Sequence, residues 1–149
     1  MADSESTKRV YPRILWAVID STHPRRLAEF YRQLLGYEYA AGHEAPPEGE
    51  PDPDGDDWLN LVDPNGGVDL AFQKVDALPR STWPEDEVPQ QIHLDTMVLS
   101  REELDRQHRI ALDLGATVLD DQVAESGQLL RVYADPEGHP FCIFVWAED

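Results

Sequence analysis

Basic residues are scarce in this chain of 149 residues: 12 lysines and arginines stand against 30 aspartates and glutamates, a formal net charge of −18 at pH 7. A surface of that sign repels phosphate backbones and cannot supply the basic stripe that nucleic-acid binding needs, so cationic or neutral partners are favoured. Cysteine is scarcer still. The single Cys142 excludes an internal disulfide framework and a multi-cysteine zinc site, and it fits a reducing cytoplasm. No apolar run approaches the ~18 residues of a membrane span, and the opening MADSESTKRVYPR lacks the apolar stretch of a signal peptide. No nucleophile motif for Ser/His/Asp catalysis occurs. The expectation is a soluble, cytoplasmic protein with neither nucleic acid nor membrane as partner.

What is present suits one compact domain. Apolar residues make up 41% of the chain, and a chain of this length buries roughly 70% of its unfolded surface, enough for a core without disulfides or a structural metal. Residues 1–9 are polar and read as a frayed terminus. The nearly all-apolar run Arg13–Ile19 predicts a strand covered on both faces. Leu27, Phe30, Tyr31, Leu34 and Leu35 then recur at helical spacing, with Ser21 or Thr22 as cap, Pro24 in the first turn and Gly36 as stop. Residues 37–41 predict a short strand, and 58–62 with 68–73 a hairpin around Asp63-Pro64-Asn65-Gly66-Gly67. After a proline- and acid-rich linker at 76–90 the order returns. A strand at 91–98 leads to a helix opened by a Ser100/Glu103 capping box and closed by Gly115. Strands at 116–119, 129–133 and 141–146 follow, the last two flanking Asp135-Pro136-Glu137-Gly138.

Counting supports the repeat. Gly36 and Gly115 lie 79 residues apart, but the two DPxG turns begin 72 apart, so the first unit holds seven extra residues between helix and hairpin. They fall in His43–Asp57, whose seven acids, four prolines and two glycines read as a long exposed loop. Asp52, Asp54 and Asp56 alternate there like part of a calcium loop, but the intervening prolines and the missing twelfth-place Glu argue for a plain solvated segment. Two βαβββ units, 10–75 and 91–149, joined by 76–90, predict an α+β fold with pseudo-twofold symmetry.

This plan, together with Ala28-Glu29-Phe30-Tyr31, Leu34-Leu35-Gly36, Leu112-Asp113-Leu114-Gly115-Ala116 and the paired DPxG turns, resembles the vicinal oxygen chelate superfamily. That superfamily includes glyoxalase I, extradiol dioxygenases, fosfomycin-resistance enzymes and bleomycin-binding proteins. Thr82-Trp83-Pro84, Pro89–Asp95 and Asp135–Cys142 are similar to its glyoxalase-like members. The resemblance implies mixed sheets curled around a cavity, and a divalent metal held by His or Glu from the first and last strands of each unit. It names no reaction, because one fold hosts many chemistries. Residue by residue, His93 falls on a ligand position, whereas its counterpart counted back from Gly36 is Ile14 or Arg13. The last-strand ligand falls on Cys142 in the second unit and on Leu70 in the first, or on Ala71 if a bulge at Gly67 shifts the register. Such a set is incomplete for a catalytic metal, with Asp95 and Gln73 as further oxygen donors.

His93 is therefore a candidate ligand, general base or hydrogen-bond donor, with Asp95 on the same strand face to orient it. Its plainer reading is a histidine satisfied by that carboxylate. Cys142 is a candidate soft ligand or cavity wall, and otherwise a small core hydrophobe. Trp16, Leu70 and Phe72 are expected to face the cavity, although ordinary packing is preferred for Leu70; Trp83 is expected in the linker over the cavity mouth. His23, His43, His108 and His139 have no partner at an informative spacing. The functional expectation is a glyoxalase-like lyase or isomerase on a small carbonyl or vicinal-oxygen compound, with His93 and Asp95 at its centre and without glyoxalase I activity. The alternative is a non-enzymatic binder of small molecules or antibiotics, cationic or aromatic. Monomer and homodimer are both compatible with the sequence. Because residues 43–149 hold 25 acids and six bases, the acidic loop is expected to form a cation-favouring rim beside the first unit's mouth.

Overall fold

In a computed structural model, whose described residues are 10–146, the chain forms two mixed four-stranded sheets of the same plan. The first unit runs β1 (Ala17–Ser21), α1 (Pro24–Leu35), β2 (Glu38–Tyr39), a 3-10 turn (Asp54–Asp56), β3 (Trp58–Val62) and β4 (Leu70–Lys74). The second runs β5 (Leu94–Val98), α2 (Arg101–Leu114), β6 (Thr117–Asp121), α3 (Gln122–Ser126), β7 (Leu130–Ala134) and β8 (Pro140–Val145). Strand order is β1-β4-β3-β2 in one sheet and β5-β8-β7-β6 in the other, with β1/β4 and β5/β8 parallel and the remaining pairs antiparallel. The predicted α+β duplication is what the chain adopts. The expected terminus at residues 1–9 lies outside the described residues.

Several boundaries differ from expectation for physical reasons. Ala17 pairs with Leu70, and no strand lies opposite residues 13–16, so Ile14 (86% exposed) and Leu15 (68%) stay outside the sheet. Gly67 is part of a wide turn in which Asp63 accepts from the backbone N–H groups of Asn65 and Gly67. A β-carbon at Gly67 would sit 2.2 Å from Asp63 Oδ2, so a larger residue there would displace the carboxylate that holds the turn. That turn delays β4 to Leu70. Neither Ser21 nor Thr22 caps α1; Ser21 Oγ instead accepts from the His23 N–H. Ser100 does cap α2, accepting from the Glu103 N–H. The short α3, capped by Asp121, has no counterpart among the sequence-based expectations.

One core joins the units through the helix-facing sides of both sheets. Tyr31 of α1 stacks on Phe72 of β4 and meets Phe141 of β8 edge-on, and Phe141 stacks on Tyr133. A polar lock reinforces this contact. Tyr31 donates its hydroxyl to the buried Asp135 at 2.6 Å, and Asp135 also accepts from the N–H groups of Glu137 and His139. Glu137, 7% exposed, takes the Ser21 hydroxyl and both donors of Thr22 at the end of β1.

Burial alone drives Glu137 up, but the hydrogen bonds from Ser21 and Thr22 outweigh it and hold the carboxyl below its usual range. A lowered carboxyl contributes stability above its ordinary pKa and loses it as pH falls through the folded-state value. Asp135 runs the other way, raised chiefly by burial. Glu137→Gln is thus expected to lower Tm at pH 7 while flattening the fall of Tm between about pH 5 and pH 3. Thermal melts across that range check the sign.

Candidate functional site

Each sheet keeps one face for the helices and leaves the other open. On β5 the open face carries His93 just before the strand, then Asp95 and Met97, all exposed, while Leu94 and Val98 pack on the core. Register extends this face sideways. Asp95 pairs with Cys142, Cys142 with Val132, and Val132 with Asp120. His93 Nε2 lies 3.1 Å from Asp95 Oδ1. One donor atom from each of His93, Asp95 and Cys142 falls within 4.8 Å of the others. His93 and Asp95 thus lie side by side, and Cys142, the last-strand position read from the sequence, lies beside them.

The electrostatics of the three groups separate their roles. Burial, then a hydrogen bond and the charge of Asp95, then Asp120, push the Cys142 thiol up to about 12, so at neutral pH it is protonated and no nucleophile. Nε2 is the ring nitrogen turned toward Asp95. As to the metal the resemblance implies, an imidazole, a carboxylate and a thiol converge from two neighbouring strands and fit a borderline divalent ion with three protein donors once the ion displaces the thiol proton.

The first unit lacks this chemistry. Val18 pairs with Ala71 and Ala71 with Asn60, so Ala71 is the counterpart of Cys142 and Trp16, two residues before Val18, is the counterpart of His93. The register thus puts Ala71, the alternative to Leu70, at the last-strand position, and it makes neither Ile14 nor Arg13 the counterpart of His93. Trp16, 38% exposed, and Trp58 bring their rings to 5.6 Å, and Trp58 Nε1 donates to Asn60 Oδ1. These indoles occupy the open face where the second unit has its donors.

Of the other candidates, Gln73 is exposed on the open face, in register with Asp20 and Trp58. Phe72 does not face a cavity: it is fully buried on the helix side against Tyr31, as is Leu70. Val18 pairs with Ala71 and Ile19 with Phe72, so the faces of β1 and β4 alternate together and Phe72 shares its side with Ile19. A cavity of about 340 Å³ lies between β1 and the linker and is also lined by residues of the β7–β8 turn and Pro140. Its walls include Val18, Ile19, Leu78, Val88, Gln90, Ile92, His93, Leu94, Glu137, His139 and Pro140. Trp83 is half-buried beside a cis peptide bond to Pro84 and does not line it. The linker does cover a pocket, but with Leu78, Val88 and Gln90.

No residue of 43–57 lines this cavity. The acidic loop is instead docked on α1, where Arg25 makes a bidentate pair with Asp52, donates to the His43 carbonyl and lies over the Tyr39 ring. Its 3-10 turn and Asp52 border a separate outer groove, so the expected rim beside the mouth is not where the acids sit. Arg25→Ala is expected to cost about 1 kcal/mol and to make residues 43–57 the first site of limited proteolysis. Sequence inspection also missed His43, whose Nδ1 accepts from the Asn60 N–H, and His139, whose ring bonds the Asp20 carbonyl. Partners 17 and 119 residues away leave no local signal.

Comparison with known proteins decides the family. A model of the glyoxalase-like domain matches residues 16–144. This chain belongs to the glyoxalase-like domain family. Solved structures agree on the fold. A glyoxalase/bleomycin resistance protein/dioxygenase family enzyme from Burkholderia phytofirmans is 16% identical, with a TM-score of 0.60 over 87% of this chain and 94% of its own. A possible glyoxalase from Bacillus cereus is 16% identical, TM-score 0.60, over 89% and 97%. A fosfomycin resistance protein from Mesorhizobium loti is 9% identical, TM-score 0.62, over 93% and 94%. No curated protein matches in sequence. Among the described residues no helix is long and apolar enough to cross a membrane.

Proposed function

We propose that this glyoxalase-like protein binds a small organic compound in the cavity beside His93 and acts on it as a lyase or isomerase, by moving a proton next to a carbonyl or vicinal oxygen. The observation that carries the reading is His93 at the wall of this cavity, with Asp95 3.1 Å from its Nε2 behind it. Asp95, 3.1 Å from Nε2, leaves Nδ1 to the ligand and would stabilise the imidazolium formed when Nδ1 takes a proton. The apolar walls hold the carbon skeleton and limit water, which favours return of that proton to the ligand. With a divalent ion held by His93, Asp95 and Cys142 instead, the ion would supply polarisation of a ligand oxygen, and His93 would be its ligand and not the base.

A proton-exchange assay over a compound panel tests this. Small α-hydroxy- and α-keto-carbonyl compounds incubated with the protein in D2O are expected to lose α-hydrogen signal for at least one member. A panel that binds without exchange supports the second reading, a non-enzymatic binder. The observation favouring that reading is the first unit, where Trp16 and Ala71 stand at the positions of His93 and Cys142.

A further inference from the structure

Besides His93, the titratable side chains along the cavity are Asp20, Tyr31, Glu137 and His139. Two of them are committed elsewhere: Tyr31 donates its hydroxyl to Asp135, and Glu137 is held by Ser21 and Thr22. His139 is tied by one nitrogen only. Its Nε2 lies 2.7 Å from the Asp20 carbonyl oxygen, which can only accept, so Nε2 carries a proton and the neutral ring keeps its lone pair on Nδ1. Register brings this ring near His93. Leu94 pairs with Phe141 in the parallel strands β5 and β8, so His93 and His139 stand one and two residues before the same rung of neighbouring strands. An imidazole also suits proton transfer at neutral pH better than the remaining carboxylate, Asp20, because the most effective acid or base has its pKa near the working pH.

We propose that His139 is a second proton-transfer residue of this site, acting at oxygen while His93 acts at carbon, and that the substrate is an α-hydroxycarbonyl compound converted to its isomer. The proposal rests on reading the cavity as the place where His93 moves a proton, and it adds the partner group and the substrate class. His93 Nδ1 takes the hydrogen of the carbinol carbon; the electron pair left behind forms a C=C bond as the carbonyl pair moves onto its oxygen. His139 Nδ1 takes the hydroxyl proton and gives it to that oxygen. Collapse in the other direction re-forms a carbonyl where the hydroxyl stood, and the second carbon takes its proton from His93. Two protons leave the substrate and two return, one C–H bond breaks and one forms, and no oxidant or reductant is consumed. A compound without the hydroxyl offers His139 no proton to carry.

Two ketones of matched shape test this, 3-hydroxypentan-2-one and 3-methylpentan-2-one, added to the full chain labelled with 15N in its histidine rings. The hydroxyketone is expected to shift both the His93 and the His139 Nδ1 signals and to isomerise to 2-hydroxypentan-3-one, whereas the methyl analogue shifts His93 alone. His139→Gln keeps an N–H for the Asp20 carbonyl but no basic nitrogen, so isomerisation should fall about 100-fold or more with Tm nearly unchanged. His139→Ala, which also loses that bond, should lower Tm by about 2–4 °C. If the glutamine variant folds poorly, the contrast between the two ketones at His139 Nδ1 in the unmodified chain decides. Isomerisation at an undiminished rate in His139→Gln, or its loss in Asp20→Asn instead, overturns the role of His139 and leaves that of His93 standing. Exchange of α-hydrogen in both ketones without isomerisation does the same. If neither ketone shifts either ring and no α-hydrogen exchanges, both the second residue and the reading of the cavity as a proton-transfer site are overturned.

Discussion

Replacing Asp135 by alanine is expected to cost about 3–5 kcal/mol, a large fraction of the stability of a domain this size. The carboxylate is 1% exposed and accepts three hydrogen bonds, from the Tyr31 hydroxyl on the first unit and the Glu137 and His139 N–H groups in its own turn. Alanine leaves all three donors buried without an acceptor, and an unmade buried bond costs more than a made one contributes. At roughly 2–4 °C per kcal/mol, the melt should move down by about 10 °C or more. Tyr31→Phe removes one donor and keeps the ring stacked on Phe72, so about 1–2 kcal/mol is expected. The two losses should not add. In the Tyr31→Phe background Asp135→Ala has one donor fewer to orphan, and urea titrations of the four proteins should give at least about 1 kcal/mol of coupling. Strict additivity would show that the bond between the units contributes nothing to holding them together.

The duplication was legible because it rests on local signals. Glycines end helices, DPxG opens turns, and apolar spacing of 3.6 or 2 marks elements wherever they lie. The approach of His93 to Asp95 was legible for the same reason, since they lie two residues apart at the start of β5. What failed depended on register. Counting back from Gly36 to find the counterpart of His93 assumed helices of equal length, but α1 has 12 residues and α2 has 14, which moves the match from Ile14 to Trp16. Phe72 was assigned to the wrong face because a one-residue slip inverts a strand, and the wide turn at Gly67 introduces that residue. The acidic loop looked unable to order itself, yet Arg25 on α1 anchors it through Asp52, 27 residues away. Cavity walls were the least legible: Gln90, Glu137 and Val18 come from three segments that meet only once the units dock.

His93→Ala is expected to abolish the proposed proton transfer while leaving the fold untouched, the second large effect. A positioned general base contributes typically about 10²–10⁴ in rate, so exchange of an α-hydrogen in D2O should fall by that factor. Stability should scarcely change, because the His93 side chain is 43% exposed, its contact is with an exposed carboxylate, and substitutions in such places stay within about 0.5 kcal/mol. The combination discriminates between the two accounts of this histidine. A residue retained to satisfy Asp95 would lower Tm when removed and leave exchange and ligand binding alone. Asp95→Asn sharpens the distinction, since asparagine keeps an oxygen facing Nε2 but carries no charge to stabilise the imidazolium. Exchange should then fall by about 10–100-fold with KM little changed. If His93→Ala retains full exchange activity, the proton is taken by another group, and the role proposed for Nδ1 is wrong.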